Sequence, residues 1–276
     1  MVAFILADAD SGQKALFGLL ASLFHPWEPD MTAAGSPPVR LGFWLESDSH
    51  QACEIARLAG YDFVVFDMEH GTVAESALDR LIPFCRAIGL AAHVRVSEPS
   101  RPHIQHALDM GADAVILPQI GSLDHAGQSA SFAKYPPLGT RGMGFGRTHA
   151  YGAAETAFIA AENARARCYA MIETPGALDE AEAIAALGCV DGLFVGPSDL
   201  SLTRGRGMFS AGGADLDDLQ RIARAAHGAG KPWGAAAANP SYRRAAVDQG
   251  ASFVTVADDL SALVAGFASL LQDAKE

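Results

Sequence analysis

Short apolar runs alternate with longer amphipathic stretches along most of this chain. From Arg40 onward, eight runs have the length and β-rich composition of buried strands: Leu41–Leu45, Phe63–Phe66, Ala91–Val96, Ala114–Leu117, Cys168–Ile172, Gly192–Val195, Trp233–Ala238 and Phe253–Val256. Helical periodicity predicts helices over His50–Leu58, Glu75–Ile88, Arg101–Met110, Leu123–Lys134, Leu178–Leu187, Leu216–His227, Tyr242–Gln249 and Leu260–Asp273. Glycines at 60, 89, 111, 188, 230 and 250 fall just before strands, where helix C-caps belong. Strand–helix alternation implies parallel βαβ units with right-handed connections. Eight such units in one uninterrupted chain favour an α/β fold of the closed (β/α)8 barrel type, a single domain over residues 39–276.

The first 38 residues break the pattern. Ala15–Phe24 is apolar but has no basic segment before it, and His25-Pro26-Trp27-Glu28-Pro29 follows where a cleavage site would need small residues, which argues against a signal peptide. Residues 1–38 read as an N-terminal extension or a helix packed on the barrel, with Met31 as an alternative start. A second irregularity lies between the fourth and fifth strands, where Tyr135–Arg147 is rich in glycine and proline. Coming after a strand and its helix, this excursion is expected on the catalytic face, its glycines either presenting N–H groups to an anion or simply making turns. It carries no strand-to-helix GxGxxG, so a nucleotide fingerprint is weak.

Composition narrows the partners. With 276 residues, half of them hydrophobic, the chain can bury a large core, and a net charge of −12 argues against a nucleic-acid partner. A small anionic substrate stays open, because a local arginine and a metal outweigh distant surface charge. Cys53, Cys85, Cys168 and Cys189 are scattered without a CxxC, as expected of reduced core thiols in a cytoplasmic protein, and no stretch reaches membrane-span length.

The chemistry gathers where the apolar runs stop. Glu173 follows the fifth run and Asp199 lies just past the sixth, so the two are neighbours in a barrel. Such a pair, with no Cys or His nearby, suits a hard divalent cation such as Mg2+ or Mn2+ with water and substrate completing its shell; the alternative is two solvated strand-end acids. Gly196-Pro197-Ser198 precedes Asp199 and can aim N–H groups at a substrate carboxylate. His70 follows Asp67 and Glu69 on a strand-end loop, which sets it apart from the other histidines as a base. Arg95 ends the third run, where a cation needs an anion, either a neighbouring carboxylate or substrate. By spacing alone, Asp109 reads as a solvated residue late in a helix. The lysines (14, 134, 231 and 275) avoid strand C-terminal ends, disfavouring Schiff-base and pyridoxal chemistry, and no GxSxG elbow occurs.

Taken in order, Asp67-Met68-Glu69-His70-Gly71, Arg95, Leu108-Asp109-Met110-Gly111-Ala112, Tyr135-Pro136-Pro137 with Arg141-Gly142, Ile172-Glu173-Thr174 and Gly196-Pro197-Ser198-Asp199-Leu200-Ser201 resemble the HpcH/HpaI family of class II pyruvate aldolases. The resemblance runs from about Leu41 to the C-terminus. It implies metal ligation by Glu173 and Asp199 (Mg2+, Mn2+ or Co2+), a general base at His70 supported by Asp109, and an enolate-stabilising role for Arg95. It also implies a homo-oligomer, a hexamer assembled as a trimer of dimers that swap a C-terminal helix. The chain departs from the pattern at Met68, where a small Gly is common, and at Met171, where a substrate-contacting Gln is frequent. Both departures bear on the substrate. The expected reaction is cleavage or formation of a 2-oxo-4-hydroxy acid from a 2-oxo acid such as pyruvate and an aldehyde, with Arg147 and His149 as candidates for the aldehyde's polar tail. Oxaloacetate decarboxylation or an acyl-CoA lyase reaction at the same site, and a non-catalytic barrel scaffold, are the alternatives.

Overall fold

The computed structural model describes residues 38–152 and 156–275, so nearly all of the expected N-terminal extension lies outside the described residues. Eight parallel strands close into one barrel in sequence order, β1 through β8. They are β1 Arg40–Leu45, β2 Phe63–Asp67, β3 Ala91–Arg95, β4 Ala114–Leu117, β5 Arg167–Ile172, β6 Gly192–Val195, β7 Trp233–Ala236 and β8 Phe253–Asp258. All eight expected strands are therefore present, and helices cover the outside.

The core has two compartments. Between strands and helices, alternate strand residues such as Val64, Phe66, Val94, Val115, Ile172 and Val195 meet the apolar faces of the helices. Inside the barrel the other set forms a smaller cluster of Phe63, Val65, Ala91, Ala114, Ile116, Tyr169, Met171, Phe194 and Phe253. Its packing pairs rings with missing side chains: a Cβ on Gly42 would lie 2.3 Å from the Phe63 ring, and one on Gly234 would lie 2.4 Å from Phe253. Large and small residues on adjacent strands thus fill the closed interior. His93 lies in this interior, stacked on Phe63 with ring centroids 4.8 Å apart, and burial holds its pKa well below the usual histidine range.

Helix starts explain how the strand ends are held. Ser49, Ser122, Thr174, Asn239 and Asp258 each accept a backbone N–H from the first turn of the following helix. These caps fix the entry of five helices at the same end of the barrel, the end at which the strands finish. At the opposite end, the helix His50–Ala59 stops at Gly60 with φ 98°, a conformation that favours glycine. Gly188 does not follow that rule, because its helix ends earlier, with Leu187 extended.

Three local departures from the expected pattern have physical causes. The helix expected over Leu178–Leu187 is split into Pro175–Asp179 and Ala181–Ala186, since Glu180 sits at φ −108° and ψ 15°, off helical geometry. A helix Thr156–Arg165 precedes β5, and its Asn163 receives the Tyr135 N–H at 2.7 Å. The glycine-rich excursion starts at the end of the barrel opposite the expected catalytic face. A segment after a βα-helix begins at the N-terminal end of the strands. From there it runs along the helix Arg101–Asp109: Arg101 donates to the Thr140 carbonyl, the Gly142 N–H donates to Gln105 at 2.7 Å, and a Cβ on Gly144 would lie 3.5 Å from Asp109. Among the described residues, no helix is long and apolar enough to cross a membrane.

Candidate active site

The strand register brings the charged residues together. In β2, Phe63, Val65 and Asp67 face the barrel interior in turn, and Asp67 pairs in register with Arg95 of β3. The carboxylate of Asp67 accepts two bonds from the Arg95 guanidinium, with Nε at 3.0 Å from Oδ1 and Nη2 on Oδ2. Arg95 Nη1 also lies 3.2 Å from Glu69 Oε2, and its guanidinium carbon stands 4.6 Å from the Trp44 ring centroid. Such a fork, held on three sides, fixes a buried cation without the freedom a lysine would have.

Asp67 also organises the loop that follows it. Its Oδ1 accepts the N–H groups of Glu69 at 3.0 Å and His70 at 3.1 Å. Burial pushes the Asp67 carboxyl up, but the Arg95 fork and these two N–H groups outweigh it and hold the pKa below the ordinary value. Glu69 shows the opposite balance: burial raises its pKa against the pull of Arg95 and His70. The His70 ring is mostly exposed at the barrel mouth, with Nε2 4.0 Å from Glu69 Oε2.

Across the mouth, Glu173 directly follows β5 and is fully buried. Its Oε1 accepts the Gln119 N–H at 2.6 Å, while its Oε2 has no hydrogen-bond partner. Gln119 reaches it from an unusual backbone, φ 53° in a non-glycine residue. Burial, reinforced by Glu69 and Asp199 and opposed by Gln119 and Arg95, pushes the Glu173 carboxyl up to about 7. Asp199 sits in the first turn of the helix Pro197–Thr203, half-buried. The Thr203 hydroxyl lies 3.1 Å from the Glu173 carbonyl and 2.7 Å from that of Asp199, tying the two backbones together.

Gly196 has a different part from the expected one. Its N–H donates to the Ile172 carbonyl at 3.2 Å, so it is not offered to a ligand. What the position requires is space: a Cβ there would lie 2.6 Å from Glu173 Oε2 and 2.6 Å from Met171 Cε. Ser198 is exposed beside this turn, and Met171 is buried next to Glu173 and Gly196.

A divalent cation fits this donor set. Glu173 Oε2 is a buried carboxylate oxygen without a partner, held against a glycine that leaves room beside it, with Asp199 as the neighbouring acid. The described residues contain no group of three or more His, Cys, Asp or Glu side chains able to hold a metal. Two protein carboxylates would leave most positions of an octahedral ion to water and substrate.

Within one chain, Asp109 does not join this group. It closes a helix that starts at the catalytic end, so it lies at the other end of the barrel. There it pairs with Arg141 at 2.7 Å, in a buried network that includes Glu162 and Arg165. This chain does not bring its own Asp109 to its own His70. Arg147 bonds Asp79 at 2.7 Å, and the buried His149 ring packs on Phe158 at 3.9 Å, so neither reaches the strand-end acids. Asp67, Trp44, Gln119 and Thr203, conversely, were not among the expected site residues. For Asp67, period-two alternation along β2 is the signal that points inward; nothing in the sequence marks Gln119.

A closed eight-stranded barrel with paired acids and a clamped arginine at its strand C-terminal ends defines an enzyme of the barrel class. The chain belongs to the HpcH/HpaI aldolase/citrate lyase family, whose model matches residues 40–265. It is 34% identical over 227 residues to a 4-hydroxy-2-oxovalerate aldolase of Novosphingobium aromaticivorans, covering 79% of this chain and 83% of that protein. It is 33% identical over 230 residues to a 2-keto-3-deoxy-L-rhamnonate aldolase of Escherichia coli O1:K1 / APEC, covering 80% and 83%. The crystal structure of an HpcH/HpaI aldolase from Desulfitobacterium hafniense DCB-2 superposes with a TM-score of 0.80 at 27% identity, covering 86% of this chain and 93% of that one. The chain is accordingly a carbon–carbon lyase of the aldolase type.

Proposed function

We propose that this enzyme cleaves, or in reverse forms, a 2-oxo-4-hydroxy acid, giving pyruvate or a related 2-oxo acid and an aldehyde, with a divalent metal held by Glu173 and Asp199. The observation that carries this reading is the buried, unpartnered Glu173 Oε2 facing the Gly196 gap, next to the Arg95 fork. The relatives named above are aldolases whose names specify hydroxylated 2-oxo acids, which supports the substrate class. A bound cation would supply Lewis-acid polarisation of the 2-oxo group and charge compensation for the enolate. Oxygen donors favour Mg2+, Mn2+ or Co2+.

The residues divide the remaining work. Arg95, locked by Asp67 and Trp44, presents a fixed positive charge near the developing enolate oxygen. His70, exposed at the mouth, takes the 4-hydroxyl proton as the C3–C4 bond breaks and returns a proton to the enolate carbon, directly or through a water, and condensation runs both transfers in reverse. Ser198 and the first turn after Gly196 border the substrate carboxylate, and Met171 closes the apolar floor beside Glu173. Four free, buried cysteines fit a reducing, cytoplasmic compartment.

The assembly reading rests on the C-terminal helix Asp259–Asp273. From Leu260 to its end it is exposed, including Leu263, Val264, Phe267, Leu270 and Leu271. An apolar stripe of this kind is expected to be covered by another copy of the chain, as in dimers that exchange this helix and build a hexamer.

Exchange of the pyruvate methyl protons in D2O, followed by NMR with and without EDTA, tests the chemistry. Exchange that EDTA abolishes and Mg2+, Mn2+ or Co2+ restores is the expected result. Metal-independent exchange, or none at all, would refute the enolate reading.

A further inference from the structure

Beside the metal-binding carboxylates, the ends of β1, β6, β7 and β8 enclose a second space of ≈ 210 Å³. Trp44, Ser198, Phe209, Ala236, Asn239 and Thr255 line it together with Pro197, Ala237 and Ala238, and no charged residue is among them. Besides the exposed Ser198 hydroxyl, two polar groups remain available to an occupant. The Thr255 hydroxyl is buried without a hydrogen-bond partner, in a residue 1% exposed. Asn239 Oδ1 is taken by the N–H groups of Ser241 and Tyr242 and the Ser241 hydroxyl, which leaves its amide nitrogen as a donor.

The surrounding charges decide what such a space tolerates. The nearby cations are committed elsewhere: Arg95 to Asp67 and Glu69, Arg206 to Asp215 and Asp218, and Arg243 Nη1 to the Ala237 and Ala238 carbonyls at 3.2 Å each. Glu46, Asp258 and Asp259 flank the β8–β1 corner, close enough that the two aspartates, after burial, help raise the Glu46 pKa. An anionic tail would be desolvated here without a partner and with acids beside it, a costly placement.

We propose that this cavity is the acceptor half of the site and that it selects a short, uncharged aldehyde over one ending in a carboxylate. The inference rests on the aldolase reading and names the class of its second substrate. Phe209 sets the length limit: it comes from the segment after the helix Pro197–Thr203, packs edge-on against Tyr242 at 5.0 Å, and closes the outer wall. A hydroxyl or carbonyl on the aldehyde would meet Thr255 and Asn239.

The test compares butanal with succinic semialdehyde, which share a four-carbon chain, as acceptors for pyruvate condensation by the metal-loaded enzyme. The expected kcat/KM ratio favours butanal by about a hundredfold, the scale of burying an unpaired charge. In Ala238→Arg, at an exposed position on the rim, the ratio should move about fivefold toward succinic semialdehyde. Phe209→Ala should raise the relative rate with hexanal. Equal rates or a preference for succinic semialdehyde in the parent enzyme, with pyruvate proton exchange intact, would overturn the acceptor assignment alone. Loss of both exchange and condensation would overturn the aldolase reading and this inference together.

Discussion

Removing the charge of Glu173 tests the physical core of the site without assaying turnover. In the metal-free protein this carboxyl titrates at about 7 rather than its ordinary 4.5, chiefly because it is buried. A raised folded-state pKa in an acid means that the folded chain holds the proton more tightly than the unfolded chain. The associated stability is therefore fully present below about pH 4.5 and is lost as pH rises through about 7. The gap corresponds to about 3 kcal/mol of destabilisation at pH 8, and about 1 kcal/mol at pH 5. Glu173→Gln keeps an acceptor for the Gln119 N–H and removes the titration. In EDTA, urea unfolding at fixed protein concentration should show the variant about 3 kcal/mol more stable than the parent at pH 8, and about 1 kcal/mol more stable at pH 5. A variant that is destabilised at pH 8, or shifted equally at both pH values, would refute the burial argument. The same titration predicts metal affinity, since a ligand must lose its proton to bind: dissociation constants should weaken about tenfold per pH unit below 7.

Other substitutions separate the remaining roles. His70→Asn should slow pyruvate proton exchange by about a hundredfold or more while metal binding, measured by calorimetry, persists. Arg95→Lys cannot reproduce the fork on Asp67 and the contact with Trp44; it should cost about 2 kcal/mol in urea unfolding and lower kcat about a hundredfold. Gly196→Ala places a methyl 2.6 Å from Glu173 Oε2, so metal affinity should drop about tenfold or more, with thermal stability of the metal-free form as the control for misfolding.

The barrel was legible because its strands announce themselves as short apolar runs at regular spacing, and the strand-end acids because charge directly after such a run is costly unless it works. What escaped notice depended on geometry that spacing does not carry. Gln119 reaches Glu173 through a left-handed backbone conformation at a non-glycine residue, which no pattern marks. The Arg95–Asp67 fork follows from strand register: the two residues are paired Cα to Cα, and counting inward-facing positions along β2 would have placed Asp67 there. The path of the glycine-rich excursion also needs geometry, because a segment that follows a helix starts at the opposite barrel end from one that follows a strand. After the helix Leu123–Ser131 it begins at the strand starts, and the Asp109–Arg141 pair holds it there. Asp109 ends a helix that points away from the site, so within one chain it stands apart from His70.

Charge balance at the barrel mouth supplies the last argument for a metal. Asp67, Glu69, Glu173 and Asp199 converge there, with Glu46 at the rim, while the buried cation among them is Arg95. Arg95 carries one charge and already faces Asp67 and Glu69, so it does not by itself offset Glu173 and Asp199 as well. Burial raises the Glu173 pKa first, and the charges of Glu69 and Asp199 raise it further. A divalent ion held by Glu173 and Asp199 would offset both charges and would supply Lewis-acid polarisation of the 2-oxo group, with Arg95 left in place. A monovalent cation or a lysine would balance only half of the pair. Among the described residues, the acids gathered around Arg95 thus support the proposed divalent ion on electrostatic grounds.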